Sequence, residues 1–302
     1  MSTTRVDVLL FGTMSIHVDG TPRHLAVAGP TRGLMQYLLS FPGRSLRREM
    51  LAELFWPQAP LERRRSTFNT ALSRIRRALL PTGELVIAAD ADHVCLHVGE
   101  GARIDACSLV NAVHAICRHG RSDAESYGAL AEALDACEAP YLDGVDDHWA
   151  VVERERLTII QLRGRGLMMR ALAEECRYEE ALDYGRSILA IDPFRESTLR
   201  EVMWLHVLNG ERPRALRLFQ EFRASLFEEM GISPTTDTHA LREHIAQDSI
   251  DTVVRPGPDP DGNGTLARDS KAPRISSYLQ DRLSHIQKSR VEVYRSLQAT
   301  RI

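Results

Sequence analysis

Residues 64–80 read RRSTFNTALSRIRRALL, and the N-terminal region takes its meaning from them. Phe68, Leu72, Ile75 and Leu79 are spaced 4, 3 and 4 apart, the interval that lines one side of a helix. The spacing predicts a helix over about 63–80. Projected at about 100° per residue, the opposite side carries Arg63, Ser66, Thr70, Ser73 and Arg77, with Thr67, Asn69 and Arg74 at the flanks. That surface joins guanidinium groups to short hydrogen-bonding side chains and holds no acid. Such a surface suits phosphate contact and base-edge reading in a major groove. A solvated polar face shows the same pattern, so the neighbouring elements must arbitrate.

Upstream, residues 6–11 and 14–18 are β-rich and separated by Gly12. Asp19-Gly20 is a hairpin turn signal, with residues 23–26 as the expected returning strand. Thr31 is placed to cap a helix over about 32–41 carrying Leu34, Tyr37, Leu38 and Phe41, which Pro42-Gly43 ends. Ser45 is placed to cap the next, SLRREMLAELF, with Leu46, Met50, Leu51, Leu54 and Phe55 on its apolar side. Downstream, residues 85–88 and 94–98 flank the turn Ala89-Asp90-Ala91-Asp92. Asp90 and Asp92 read as turn chemistry rather than a metal pair. The order is helix, helix, polar helix, hairpin wing, a helix-turn-helix variant. His93, in the wing, is placed to reach a minor groove.

These stretches resemble the OmpR/PhoB-type winged-helix DNA-binding domain. The matching segments are LLFGTMSIHVDG, TRGLMQYLLSFPGR, MLAELFWP and RRSTFNTALSRIRRALL. They are most similar to the SARP/AfsR-type regulators, whose third helix likewise ends in a Ser-Arg-hydrophobic-Arg-Arg run, here Ser73-Arg74-Ile75-Arg76-Arg77. The sheet begins near residue 5, so no fused receiver domain, and no control through its phosphorylation, is expected.

Residues 104–250 look helical almost throughout. Ile104, Asp105, Leu109 and Val113 lead one helix, Ser122-Asp123 opens another reaching about Glu138, and Asp146 or Asp147 is placed to cap a long one with Trp149, Val152 and Leu157. RYEEAL at 177–182 and ERPRAL at 211–216 are offset by 34 residues, the tetratricopeptide period. The stretches IDACSLVNA, YLDGVDDHWAVVERERL and residues 177–245 are similar to the bacterial transcriptional activation domain of the same regulators. The expected fold is mainly α: an N-terminal α+β winged helix at 1–98, an all-α tetratricopeptide-like helical-repeat domain at 99–250, a flexible linker at 251–274 and a C-terminal helix at 275–302. Leu279, Leu283, Ile286, Val293 and Leu297 give that last helix a marginal heptad pattern. It can serve for dimerisation, for docking, or simply be a frayed end.

Composition narrows the function classes. The net charge of −3 hides a gradient: residues 1–98 hold 12 Arg against 8 acids, and residues 99–250 hold 17 Arg against 27. A basic module joined to an acidic one fits a nucleic-acid reader attached to something else. The only Lys residues are Lys271 and Lys288, so the first 270 residues offer no P-loop and no Schiff-base lysine. The five Cys form no CxxC pair and read as buried reduced thiols, with Cys117 and His119 too few for zinc. No acid/base or nucleophile set converges; His148 beside Asp147 is the nearest remnant. No enzyme, cofactor or metal is expected. No signal peptide or membrane span is seen, so a cytoplasmic, nucleoid-associated protein is expected.

The leading expectation is a sequence-specific DNA-binding regulator with Arg63, Ser66, Thr67, Asn69, Thr70, Ser73, Arg74, Arg77 and His93 at the DNA. The resemblance implies activation, promoter direct repeats in double-stranded DNA, RNA polymerase holoenzyme as partner and control of secondary-metabolite genes; a homodimer on DNA is a further option. The alternative is a helical-repeat protein-interaction scaffold whose winged helix does not bind DNA.

Overall fold

The computed structural model describes residues 4–119 and 124–247. The chain opens with β1 (Val6–Leu9), β2 (Ser15–Val18) and β3 (Thr21–Pro22), a meander in which Val8 faces Ile16 across an antiparallel pair. The returning strand is shorter than expected. Arg23 N still donates to Ile16 O at 2.8 Å, but Pro22 has no N–H to extend the ladder, and residues 24–28 leave the sheet.

Three helices follow: α1 (Gly29–Ser40), then after the two-residue strand β4 (Leu46–Arg47) α2 (Arg48–Phe55), then α3 (Leu61–Leu79). Two expected caps are displaced. Pro30 stands in the first turn of α1, where its preset φ starts a helix, so Thr31 lies inside and caps nothing. Ser45 does not cap α2, because Leu46 and Arg47 pair with Val94 and His93. Met50 and Leu54 are also turned outward, leaving Leu51, Ala52 and Phe55 as the buried side of α2. In α3 the expected stripe holds: Phe68, Leu72, Ile75 and Leu79 are each at most 2% exposed. Each such side chain contributes about 1.5–3 kcal/mol of burial.

A single 3-10 turn, Leu80–Thr82, leads into the hairpin β5 (Leu85–Ala89) and β6 (His93–Val98), the hairpin expected from the sequence as a wing, which β4 joins to make a three-stranded sheet. Next comes β7 (Ala102–Ile104), which pairs parallel with β1, so the first sheet runs β3-β2-β1-β7. Ile104 is thus a strand residue rather than a helix lead.

The rest is helical: α4 (Asp105–His119), α5 (Ala124–Asp135), α6 (His148–Glu174), α7 (Tyr178–Ile191), α8 (Glu196–Leu208), α9 (Arg212–Met230) and α10 (Thr236–Ala246). The fold class is as the sequence implies, mostly helical with N-terminal strands. The expected segments 251–274 and 275–302, and Ser122-Asp123, lie outside the described residues. α5 ends three residues short of the expected Glu138. Asp147 is the N-cap residue of α6, but its side chain makes no cap hydrogen bond, and Val152 is exposed.

The two repeat motifs occupy equivalent places. RYEEAL starts α7 and ERPRAL starts α9, burying Ala181 and Ala215 completely. Gly185 of α7 lets α8 approach so closely that a Cβ there would collide with Val202. One core runs from Val6 through α1–α3 and the wing into α4–α6, and smaller ones follow along α6–α10. The thiols are less uniform than expected: Cys137 is buried, Cys95, Cys107 and Cys117 are half-buried and Cys176 is exposed. Burial pushes the Cys137 thiol up to about 12 and that of Cys107 to about 11. Among the described residues no helix is long and apolar enough to cross a membrane.

The join between strands and helices is polar and enclosed. Asp105, at the start of α4, is 7% exposed. Its Oδ2 accepts from Leu10 N at 2.7 Å and Phe11 N at 2.9 Å. Burial raises its pKa against the pull of these N–H groups. Nearby, Leu142 N donates to Leu10 O and Gly12 N to Pro140 O. Trp149, in the first turn of α6, packs edge-on to Tyr37 of α1 at 5.0 Å.

Candidate nucleic-acid interface

The outward surface of α3 follows directly from the burial of its other side. Anchoring Phe68, Leu72, Ile75 and Leu79 turns Arg63, Ser66, Asn69, Thr70, Ser73, Arg74 and Arg77 to solvent; Thr67 is half-buried at the margin. Asn69, Thr70, Ser73, Arg74 and Arg77 line an open hollow of about 410 Å³. Arg63 stands apart at the N-terminal end, about 21 Å along the axis from Arg77 at 1.5 Å per residue.

The partners of these groups differ in an informative way. Among the described residues Arg63, Arg74 and Arg77 have no side-chain hydrogen bond or ion pair. Ser66 Oγ donates to Arg63 O at 2.8 Å, and Thr70 Oγ1 to Ser66 O at 3.0 Å. Those protons are occupied, but the oxygens still accept. Asn69 Oδ1 accepts from the Arg48 guanidinium, which leaves the Asn69 amide N–H groups for other acceptors.

Arg48 was not among the residues singled out in the sequence. It begins α2, donates through its second Nη to Asp90 O in the wing turn, and lies 5.6 Å above the Phe68 ring. Its backbone N donates to Asp92 O at 2.8 Å. One side chain therefore ties α2, α3 and the wing together. The Arg47-Arg48 pair was visible in the sequence, but the contact needs strand β4, which was not. Arg76 is a second connector, donating from Nε to Ile87 O at 3.2 Å. Arg64 turns away, donating to Pro57 O and Ala59 O.

The wing turn is built as turn chemistry. Asp90 Oδ1 accepts from Asp92 N at 2.8 Å and His93 N at 2.7 Å. The His93 N–H and then the Asp92 N–H hold that carboxyl below its usual range. His93 is half-buried with Nδ1 3.8 Å from Asp90 Oδ1, at the wing rather than on α3. Among the described residues no group of three His, Cys, Asp or Glu is arranged to hold a metal ion.

A family model described as the bacterial transcriptional activator domain matches residues 107–246. The transcriptional regulatory protein MoaR1 of Mycobacterium tuberculosis is 23% identical over 252 residues, 78% of each chain. The regulatory protein AfsR of Streptomyces coelicolor is 25% identical over 227 residues, 74% of this chain and 22% of AfsR. Among solved structures, Mycobacterium tuberculosis EmbR in complex with a low-affinity phosphopeptide superposes with a TM-score of 0.67 at 20% identity. That match covers 81% of this chain and 65% of EmbR, a likeness of fold.

Proposed function

We propose that this chain, a SARP-type transcriptional regulator, acts by reading double-stranded DNA with the outer face of α3 and steadying it with the wing. The observation that carries the proposal is the state of Arg63, Arg74 and Arg77. All three are exposed on one helix face, whose acid is Glu62 in the first turn, and none has a partner among the described residues. Arginine left unpaired in this way suits guanine edges and phosphates, which its planar fork binds in two places at once. Arg48 holds α3 and the wing in one frame, so both can meet one duplex. His93 stands at the wing for a minor-groove contact.

The helical part, which matches the activator domain, is the surface for RNA polymerase, so the net effect is activation without catalysis. Direct repeats in promoters of secondary-metabolite genes are the target class, with two copies side by side on the DNA. The protein works in the cytoplasm, at the nucleoid.

The test is selection of genomic fragments by the purified chain at two salt concentrations, followed by footprinting. Enrichment of promoter fragments sharing a short direct repeat is the expected outcome. Neutralising six phosphates gives a slope of log K against log salt of about −5. No enrichment at either salt overturns the DNA reading and leaves a protein-binding scaffold.

A further inference from the structure

Between α1 and the start of α6 lies an open cleft of about 620 Å³. Its polar lining is Thr13, Arg32, Gln36, Asp143, Asp146 and Asp147. None of these belongs to the α3 face. Gln36 is 5% exposed, and its side-chain amide has no hydrogen bond among the described residues. Gln36 lines the cleft, so its amide is free to bond a group held there.

The charges show the same lack of pairing. Arg32 reaches only Met14 O, at 3.5 Å. Asp143, Asp146 and Asp147 have no side-chain hydrogen bond or ion pair among the described residues, although a guanidinium lines the same cleft. One half-buried cation and three solvent-exposed anions therefore line the cleft without pairing with one another. The loop that bears the Asp residues is held in place. Arg154 donates to Tyr141 O at 2.7 Å and to Leu142 O and Val145 O at 2.9 Å each, and Asp143 N donates to Gly12 O at 3.0 Å. A site whose groups are fixed beforehand loses little on ordering.

We propose that this cleft binds a basic amino acid. The ligand's carboxylate pairs with Arg32, its ammonium and its side-chain cation meet the three Asp carboxylates, and the Gln36 amide bonds whichever polar group lies over α1. The excess of carboxylates sets the sign of the ligand. The volume fits, since small-molecule sites run to about 300–1,000 Å³. Because one wall is α1 and the other the start of α6, the ligand spans the joint between the N-terminal three-helix region and the later helices.

The test is isothermal titration calorimetry of the full-length chain, without DNA, against L-arginine, L-lysine and L-ornithine. Each is run beside its decarboxylated amine (agmatine, cadaverine, putrescine), with L-glutamate as the reversed-charge control. The expected result is saturable binding of one of the three amino acids with a Kd on the order of 1 mM or tighter. Binding weakens about tenfold for the matching amine, for Arg32→Gln and for Asp146→Asn, each about 1.4 kcal/mol. Circular dichroism melts of both variants stay at the parent temperature, so loss of binding is not loss of fold. No heat from any of the three, equal affinity for amine and amino acid, or equal affinity for glutamate each overturns the proposal. The titration contains no DNA, so its failure leaves the α3 reading standing.

Discussion

α3 and α6 are both rich in arginine, and particular arginines on them serve opposite ends, although Arg64 and Arg76 of α3 also bond carbonyls. On α3, Arg63, Arg74 and Arg77 face solvent without a partner among the described residues. On α6, Arg154 spends its guanidinium on three loop carbonyls, Arg156 grips Glu153 at 2.8 and 2.6 Å, and Arg170 lies 3.4 Å from Glu201. Glu153 is itself 5% exposed, so its charge depends on that grip. Counting arginines thus says little about where an anion binds. The count that matters is of exposed guanidinium groups left over once the fold has satisfied its own carbonyls and carboxylates, since the unpaired Arg165 Nη1 of α6 is buried.

Four experiments bear on that contrast, in falling order of effect. Leu72→Ala removes a buried anchor of α3 and is expected to cost about 2–5 kcal/mol of stability, measured by urea denaturation, with DNA affinity falling only as the folded fraction falls. Arg154→Ala is expected to cost about 2–3 kcal/mol, because it strips charged-donor bonds from carbonyls of the 141–145 loop. A variant that kept full stability but lost DNA binding would place Arg154 in the wrong class. Arg77→Ala is expected to leave the melting temperature unchanged and weaken specific DNA binding by about 1–3 kcal/mol, measured by fluorescence anisotropy; unfolding in this variant would show that the α3 face is structural.

The smallest effect is one of pH. The folded Asp90 carboxyl titrates below its ordinary 3.8, so its contribution to the wing turn is present above the unfolded carboxylate value and lost as pH falls through the lowered one. Amide resonances of Asp92 and His93 are expected to shift in that acid range, while those of α6 do not shift in step. A coincident α6 transition would show that the wing is not an independent local turn.

The buried stripe of α3 and the tetratricopeptide spacing were readable because both are local periodicities: Phe68 to Leu79, and Ala181 to Ala215, announce themselves by interval alone. The polar face came with them, since whatever opposes a buried stripe is exposed. What escaped has partners far along the chain. Leu46 and Arg47 look like helix start until Val94 and His93 lie beside them, and Ile104 looks like helix lead until Val8 supplies a parallel neighbour. Arg48 and Asp105 were unremarkable as single letters. Arg48 gains its role from Asn69 and Asp90, and Asp105 from two N–H groups more than 90 residues upstream. Thr31 and Ser45 were sound local cap signals overruled by Pro30 and by strand pairing.

The parallel pairing of β1 with β7 also sets a timetable for synthesis. Val6 and Val8, completely buried in the finished protein, leave the ribosome long before Ala102 and Ile104, which must follow before that edge is covered. Phe11 waits longer, for Tyr141. At about 5–20 residues per second, the nascent chain holds an apolar strand with one open edge for on the order of ten seconds.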